Sequence, residues 1–148
     1  MRILIDADGC PVVDICIACA KKHEIECLLI CDTSHVFEKE DAKTITVSKG
    51  ADSVDYALVN MLEKGDVVVT QDYGLAAMVL ARAGFPITQN GLVIGNANIE
   101  SLLAQRHVSK KIRNSGGRLK GPSKRNTDQD VSFERNLEKL IESLKSAE

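Results

Sequence analysis

Aromatic residues are scarce in this 148-residue chain, which has no tryptophan, two tyrosines and three phenylalanines. That scarcity argues against a nucleic-acid binder working through rows of base-stacking rings. Long apolar runs are missing too: none approaches the roughly 18 residues needed to cross a bilayer. A carboxylate at the sixth position of MRILIDADG is at odds with a secretory leader. A cytoplasmic protein without membrane association is expected. Acidic residues are absent from 105–126, whereas 1–104 carries 15 of them against 8 Lys and Arg.

What is present suits one globular domain spanning 1–148. The length allows a single core, and hydrophobic residues make up 44% of the chain. The stretch without acids holds eight basic residues: Arg106, Lys110, Lys111, Arg113, Arg118, Lys120, Lys124 and Arg125. Such a segment reads as a flexible arm for phosphate or RNA, or else as a solvated loop. The cysteines Cys10, Cys16, Cys19, Cys27 and Cys31 all fall early. Their spacing touches on zinc patterns, but one pair lies in an expected helix and the other along an expected strand. Reduced thiols packed as small hydrophobes are the better expectation.

Short apolar runs alternate with helical stretches. Strands are expected at 3–6, 27–31, 44–47 and 67–70, with a short fifth within 86–94. Helices are expected at 11–22, 51–64, 73–83 and 98–111, where Gly65 and Gly84 serve as stops. This alternation predicts an α/β fold, a three-layer parallel sheet of about five strands with helices on both faces. Residues 114–130 read as a loop. A last helix over 130–147 carries an apolar stripe, Val131, Phe133, Leu137, Leu140, Ile141 and Leu144, which must dock on the domain or on a second copy in a homodimer.

Ligands of open parallel sheets bind beyond the strand ends, where strand order reverses. With the order 3-2-1-4-5, Asp6, Asp8 and Asp72 converge there. Crowded carboxylates repel, and a cation or a bound proton offsets that repulsion; hard divalent ions such as Mg²⁺ or Mn²⁺ prefer oxygen ligands of this kind. Asp55 falls inside the apolar arc of helix 51–64, where an unpaired carboxylate is costly, and Asp52 lies at its edge. Each residue also has a plainer reading. Asp8 and Asp72 suit helix N-caps, Asp52 suits the helix dipole, and Asp55 suits an ion pair. Asp32 and Asp41 read as solvated loop residues. His23, His35 and His107 are scattered and read as surface residues.

The motifs Asp6-Ala7-Asp8-Gly9-Cys10-Pro11, Gly50-Ala51-Asp52-Ser53-Val54-Asp55 and Thr70-Gln71-Asp72 with Leu75-Ala76-Ala77 resemble the YaiI/YqxD family of bacterial proteins. Asn98-Ile99, Arg106, Gly121-Pro122 and the helix around Phe133 extend the likeness over nearly the whole chain. That family is similar to PIN-domain-like proteins, many of them Mg²⁺- or Mn²⁺-dependent ribonucleases. The resemblance implies metal-site roles for Asp6, Asp52 or Asp55, and Asp72, with Thr70 as a neighbour. Two departures stand out. PIN nucleases carry a further acidic residue after the fourth strand, whereas 73–99 here contains no Asp or Glu. The family pattern also has Pro where this chain has Gly74, and Gly where it has Lys120.

Three functions follow as expectations. The first is a metal-dependent ribonuclease or phosphodiesterase, a hydrolase with Asp6, Asp8 and Asp72 as catalytic residues. It would hold metal through Asp6, Asp8, Asp52, Asp55 and Asp72. The second is a non-catalytic RNA- or protein-binding module. The third is a haloacid-dehalogenase-like phosphatase with Asp6 as nucleophile and Asp8 as acid–base. That third chemistry also needs a lysine and a later acidic pair, and Thr70-Gln71-Asp72 offers one carboxylate.

Overall fold

The computed structural model of the chain describes residues 1–32, 39–50, 52–114, 116 and 124–147, with the backbone alone at 109, 113 and 114. Arg118, Lys120, the Gly121-Pro122 pair, His35, Ala51 and most of the expected 33–41 loop lie outside the described residues. Strands β1 (Arg2–Asp6), β2 (Glu26–Asp32), β3 (Lys43–Val47), β4 (Val67–Val69) and β5 (Phe85–Ile87) form one sheet in the order β3-β2-β1-β4-β5. Every pairing is parallel, so the expected order stands.

Alternation along the central strands sorts their side chains between two layers. Leu4, Leu28, Ile30 and Val68 turn to one face, where α2 (Ser53–Met61) and α3 (Tyr73–Ala81) supply Leu58, Val59, Leu75 and Val79. Ile3, Ile5, Val67 and Val69 turn to the other, against Val13, Cys16 and Cys19 of α1 (Val13–Lys22) and Phe133, Leu137 and Ile141 of α5 (Thr127–Ser146). The terminal helix therefore docks on its own domain, and those three residues are fully buried. Gly91 makes this docking possible. A Cβ there would stand 2.9 Å from the Ser132 carbonyl oxygen and 3.1 Å from Phe133 Cα, and its φ of +90° is one that glycine adopts without strain.

Three boundaries differ from expectation for local reasons. Helix α2 stops at Met61 rather than 64 because buried Asp66 captures the chain. Its Oδ2 accepts the Glu63 amide at 2.8 Å, while Arg2 donates to the Met61 carbonyl at 2.7 Å. Helix α4 spans Ile99–Asn114, three residues past the expected end at 111, so it takes in the first half of the basic stretch. Helix α5 begins at Thr127, ahead of the expected 130. Asn126 accepts from the Gln129 amide and the Gln129 side chain accepts from the Asn126 amide, a reciprocal cap.

Candidate functional site

Asp6 ends β1 and Thr70 follows β4, and these neighbouring strands meet where the strand order reverses. The Thr70 hydroxyl, itself 1% exposed, donates to Asp6 Oδ2 at 3.0 Å and accepts the Asp72 amide at 3.0 Å. One buried hydroxyl thus fixes both aspartates. Asp72 is also the N-cap of α3, its Oδ1 accepting from the amides of Gly74 at 2.8 Å and Leu75 at 3.2 Å. The capping role and the site role therefore coexist in this residue.

Asp55, in the first turn of α2, faces the same place across a cleft of about 250 Å³. Asp52, Asp55 and Asp72 line it together with Tyr56, Met78 and Arg106. The Asp55 carboxyl is pushed up to about 6, first by burial and then by the charges of Asp72, Asp6 and Asp52; in its neutral form it hydrogen-bonds Asp72. Asp6 is also raised. Burial leads, the Thr70 hydrogen bond opposes it, and Asp8 and Asp72 add to it. Asp72 acts on both, Asp52 acts on Asp55, and Asp8 acts on Asp6.

Their local roles differ from the plainer expectations. Asp8 caps no helix: Val12 holds the N-cap position of α1, and Asp8 Oδ2 accepts the Asp32 amide at 3.2 Å. Asp52 precedes α2 with φ of +63°, a conformation aspartate tolerates, and its side chain makes no capping bond. Among the described residues, no three of these carboxylates place oxygen atoms within 4.8 Å of one another. The set fits an ion such as Mg²⁺, which takes one or two carboxylates and keeps several waters.

Among the described residues, Arg106 is the one cation lining the cleft, its Nη1 lying 3.4 Å from Asp72 Oδ1. Gly74 permits this approach, since a Cβ there would stand 2.8 Å from the same nitrogen. A proline at this position would also remove the amide that caps onto Asp72. Lys110 and Lys111 lie exposed farther along α4. Arg113 lies on the same helix, and Lys124 is exposed just ahead of α5. Arg125 is differently placed. Its guanidinium reaches Asp130 Oδ1 at 2.7 Å, Asn90 Oδ1 at 2.9 Å and the Gln89 carbonyl at 2.7 Å, tying the start of α5 to the loop after β5.

Two features were not foreseen. Tyr56, 62% exposed, stands at the cleft in a chain with few rings. Its position on α2, one residue after Asp55, is the signal that could have found it. The cysteines behave as expected, four of the five being buried, and all five are free thiols. His23, however, is not a surface histidine: its ring packs 2.6 Å from Glu138 Oε2.

Among the described residues, no helix is long and apolar enough to cross a membrane. Residues 4–143 match the family described as "Uncharacterized BCR, YaiI/YqxD family". A UPF0178 protein of Exiguobacterium sibiricum is 53% identical over 141 residues, covering 95% of this chain and 96% of the relative. One from Ruminiclostridium cellulolyticum is 49% identical over 93% of this chain and 90% of its own length. Another from Lachnoclostridium phytofermentans is 42% identical over 99% of this chain and the whole relative. No solved structure matches the chain significantly. With nearly its full length matched, the chain belongs to the YaiI/YqxD family.

Proposed function

We propose that this protein is a divalent-metal-dependent phosphodiesterase acting on RNA, with Mg²⁺ or Mn²⁺ held by Asp6, Asp72 and Asp55. The observation that carries this reading is the cleft itself. Burial first, and then the charges of Asp72, Asp6 and Asp52 gathered from α3, β1 and α2, lift the Asp55 carboxyl to about 6. The sheet order and the terminal helix are consistent with a PIN-like fold, which supports the same chemistry. When bound, the ion would acidify a water and neutralise charge on the phosphate. Thr70 orients Asp6, the α3 amides hold Asp72, and Arg106 stands ready to take a phosphate oxygen. Lys110 and Lys111 extend that positive surface for RNA, and five free thiols accord with a reducing cytoplasm.

The test is RNA cleavage by purified protein with and without Mn²⁺, against Asp72→Asn. Asparagine keeps the α3 cap while removing the charge. Mn²⁺-stimulated cleavage lost in this variant is expected. Equal behaviour of the two proteins would sink the proposal.

A second reading is a non-catalytic module binding RNA. It is favoured by the Arg106–Asp72 contact and by the spread of the carboxylates. RNA binding that is insensitive to EDTA and occurs without cleavage selects it. The phosphatase reading gains less, because the charges acting on Asp6 are those of Asp8 and Asp72 rather than of a lysine.

A further inference from the structure

The groups at the far end of α1 are left unused by the acidic cleft. Cys19 and His23 stand four residues apart, His23 being the C-cap residue of α1, so both face α5. Glu134 and Glu138 repeat the same spacing on α5. The two helices pack together, and Cys19, His23 and Glu138 meet along their seam beside the buried Leu137 and Ile141.

The atoms are close. Cys19 Sγ, a ring nitrogen of His23 and a carboxylate oxygen of Glu138 all lie within 4.8 Å of one another, the one such group of three among the described residues. His23 Nε2 is 2.6 Å from Glu138 Oε2, and the Cys19 thiol hydrogen-bonds the same carboxylate. Glu134 is near enough for its charge to bear on Cys19. Tetrahedral ligands at bonds of roughly 2.0–2.3 Å are about 3.3–3.8 Å apart, so the 2.6 Å His23–Glu138 pair opens slightly as the ion enters between the three groups. Thiolate, imidazole and carboxylate together suit zinc and its neighbours rather than Mg²⁺ or Ca²⁺. Cys19 is 3% exposed, which keeps the sulfur in a dry position, whereas the Glu138 side opens to solvent.

We propose that Cys19, His23 and Glu138 form a zinc-type site that clasps α5 to α1, with Glu134 or a water as fourth ligand. Binding releases the Cys19 thiol proton to solvent and leaves a thiolate on the metal. The His23–Glu138 hydrogen bond is exchanged for two metal bonds. Lys22, which pairs with Glu138 at 3.5 Å, swings away into solvent. The site is separate from the acidic cleft, which lies at the opposite ends of the strands and is lined by no cysteine.

Titrating the metal-free, reduced full chain with Co²⁺ tests this. One equivalent per chain should produce a near-ultraviolet thiolate-to-cobalt band that Zn²⁺ displaces. Cys19→Ser should abolish the band, whereas Cys10→Ser should keep it, and Zn²⁺ should raise the melting temperature only where the band forms. His23→Gln and Glu138→Gln should each weaken Co²⁺ binding at least tenfold. These two variants carry the test should Cys19→Ser fail to fold by circular dichroism. The absence of a thiolate band, an identical band in Cys19→Ser, or unchanged affinity in both glutamine variants overturns the proposal.

Discussion

Thr70 and Asp6 are joined across two neighbouring strands by a 3.0 Å hydrogen bond from a hydroxyl that solvent barely reaches. The same hydroxyl accepts the amide of Asp72, so one side chain positions both strand-end carboxylates. Thr70→Val keeps the shape but strips both bonds. It leaves a buried amide unpaired and moves the Asp6 carboxyl further up, since Thr70 is what opposes its burial. A loss of about 1–3 kcal/mol in urea unfolding is expected, together with weaker Mn²⁺ binding by calorimetry. A Thr70→Val protein of unchanged stability would mean that the bond contributes nothing.

Asp55 makes a pH signature. Its carboxyl is raised to about 6 from the ordinary 3.8, so the folded chain holds that proton more tightly than the unfolded chain. The stabilisation is full below about pH 4 and is lost as pH rises to about 6. Screening at this partly exposed position reduces the effect to about 1 kcal/mol. Asp55→Asn should therefore be the more stable protein at pH 7 in EDTA, and the gap should close at pH 4. Denaturation midpoints across pH 4–7 decide the matter, and parallel curves for the two proteins would exclude a raised Asp55. Saturating Mn²⁺ should narrow the gap at pH 7, because the ion neutralises the same repulsion.

Much of this arrangement is legible in the residue order. Val67, Val68 and Val69 form an unbroken apolar run, which marks a buried strand, and aspartates at the strand ends point toward the candidate cleft. Asp55 was legible because a charge in an apolar helical arc needs a reason. Other features were written in contacts between distant residues. Asp66 shows this well. Nothing local distinguishes it from a loop carboxylate, yet its pairing with Arg2, sixty-four residues away, ends α2 early. Asn126-x-x-Gln129 is a local capping signal, whereas the expected start at 130 rests on the apolar stripe alone. The surroundings of His23 depend on the packing of α5 against α1, which no local pattern encodes.

Asp66 belongs to the fold rather than to the cleft. It is 1% exposed and sits at the start of β4, away from the strand ends where Asp6 and Asp72 meet. Its Oδ2 lies 2.7 Å from Arg2 Nη2, and its two oxygens also take the amides of Arg2 and Glu63. Asp66→Ala takes the carboxylate partner from the Arg2 guanidinium, which keeps the Met61 carbonyl, and strands two backbone donors. A loss of about 3–5 kcal/mol is expected. Chemical denaturation measures it, and a variant within 1 kcal/mol of the parent would contradict this role.

Arg106 should separate metal binding from RNA binding. Its guanidinium lies 3.4 Å from Asp72 and competes for the carboxylate that the proposed ion needs. Arg106→Gln removes that competitor, so Mn²⁺ should bind more tightly to the free protein. RNA should bind less tightly, because a phosphate contact is lost. For single-stranded RNA, the slope of log K against log salt should flatten by about 0.7 per contact removed. Calorimetry with Mn²⁺ and RNA binding across a salt series supply the two readouts. If both affinities fall together, Arg106 supports the cleft structurally; if neither moves, it faces solvent without a role in either. Only opposite shifts place Arg106 where metal and phosphate meet.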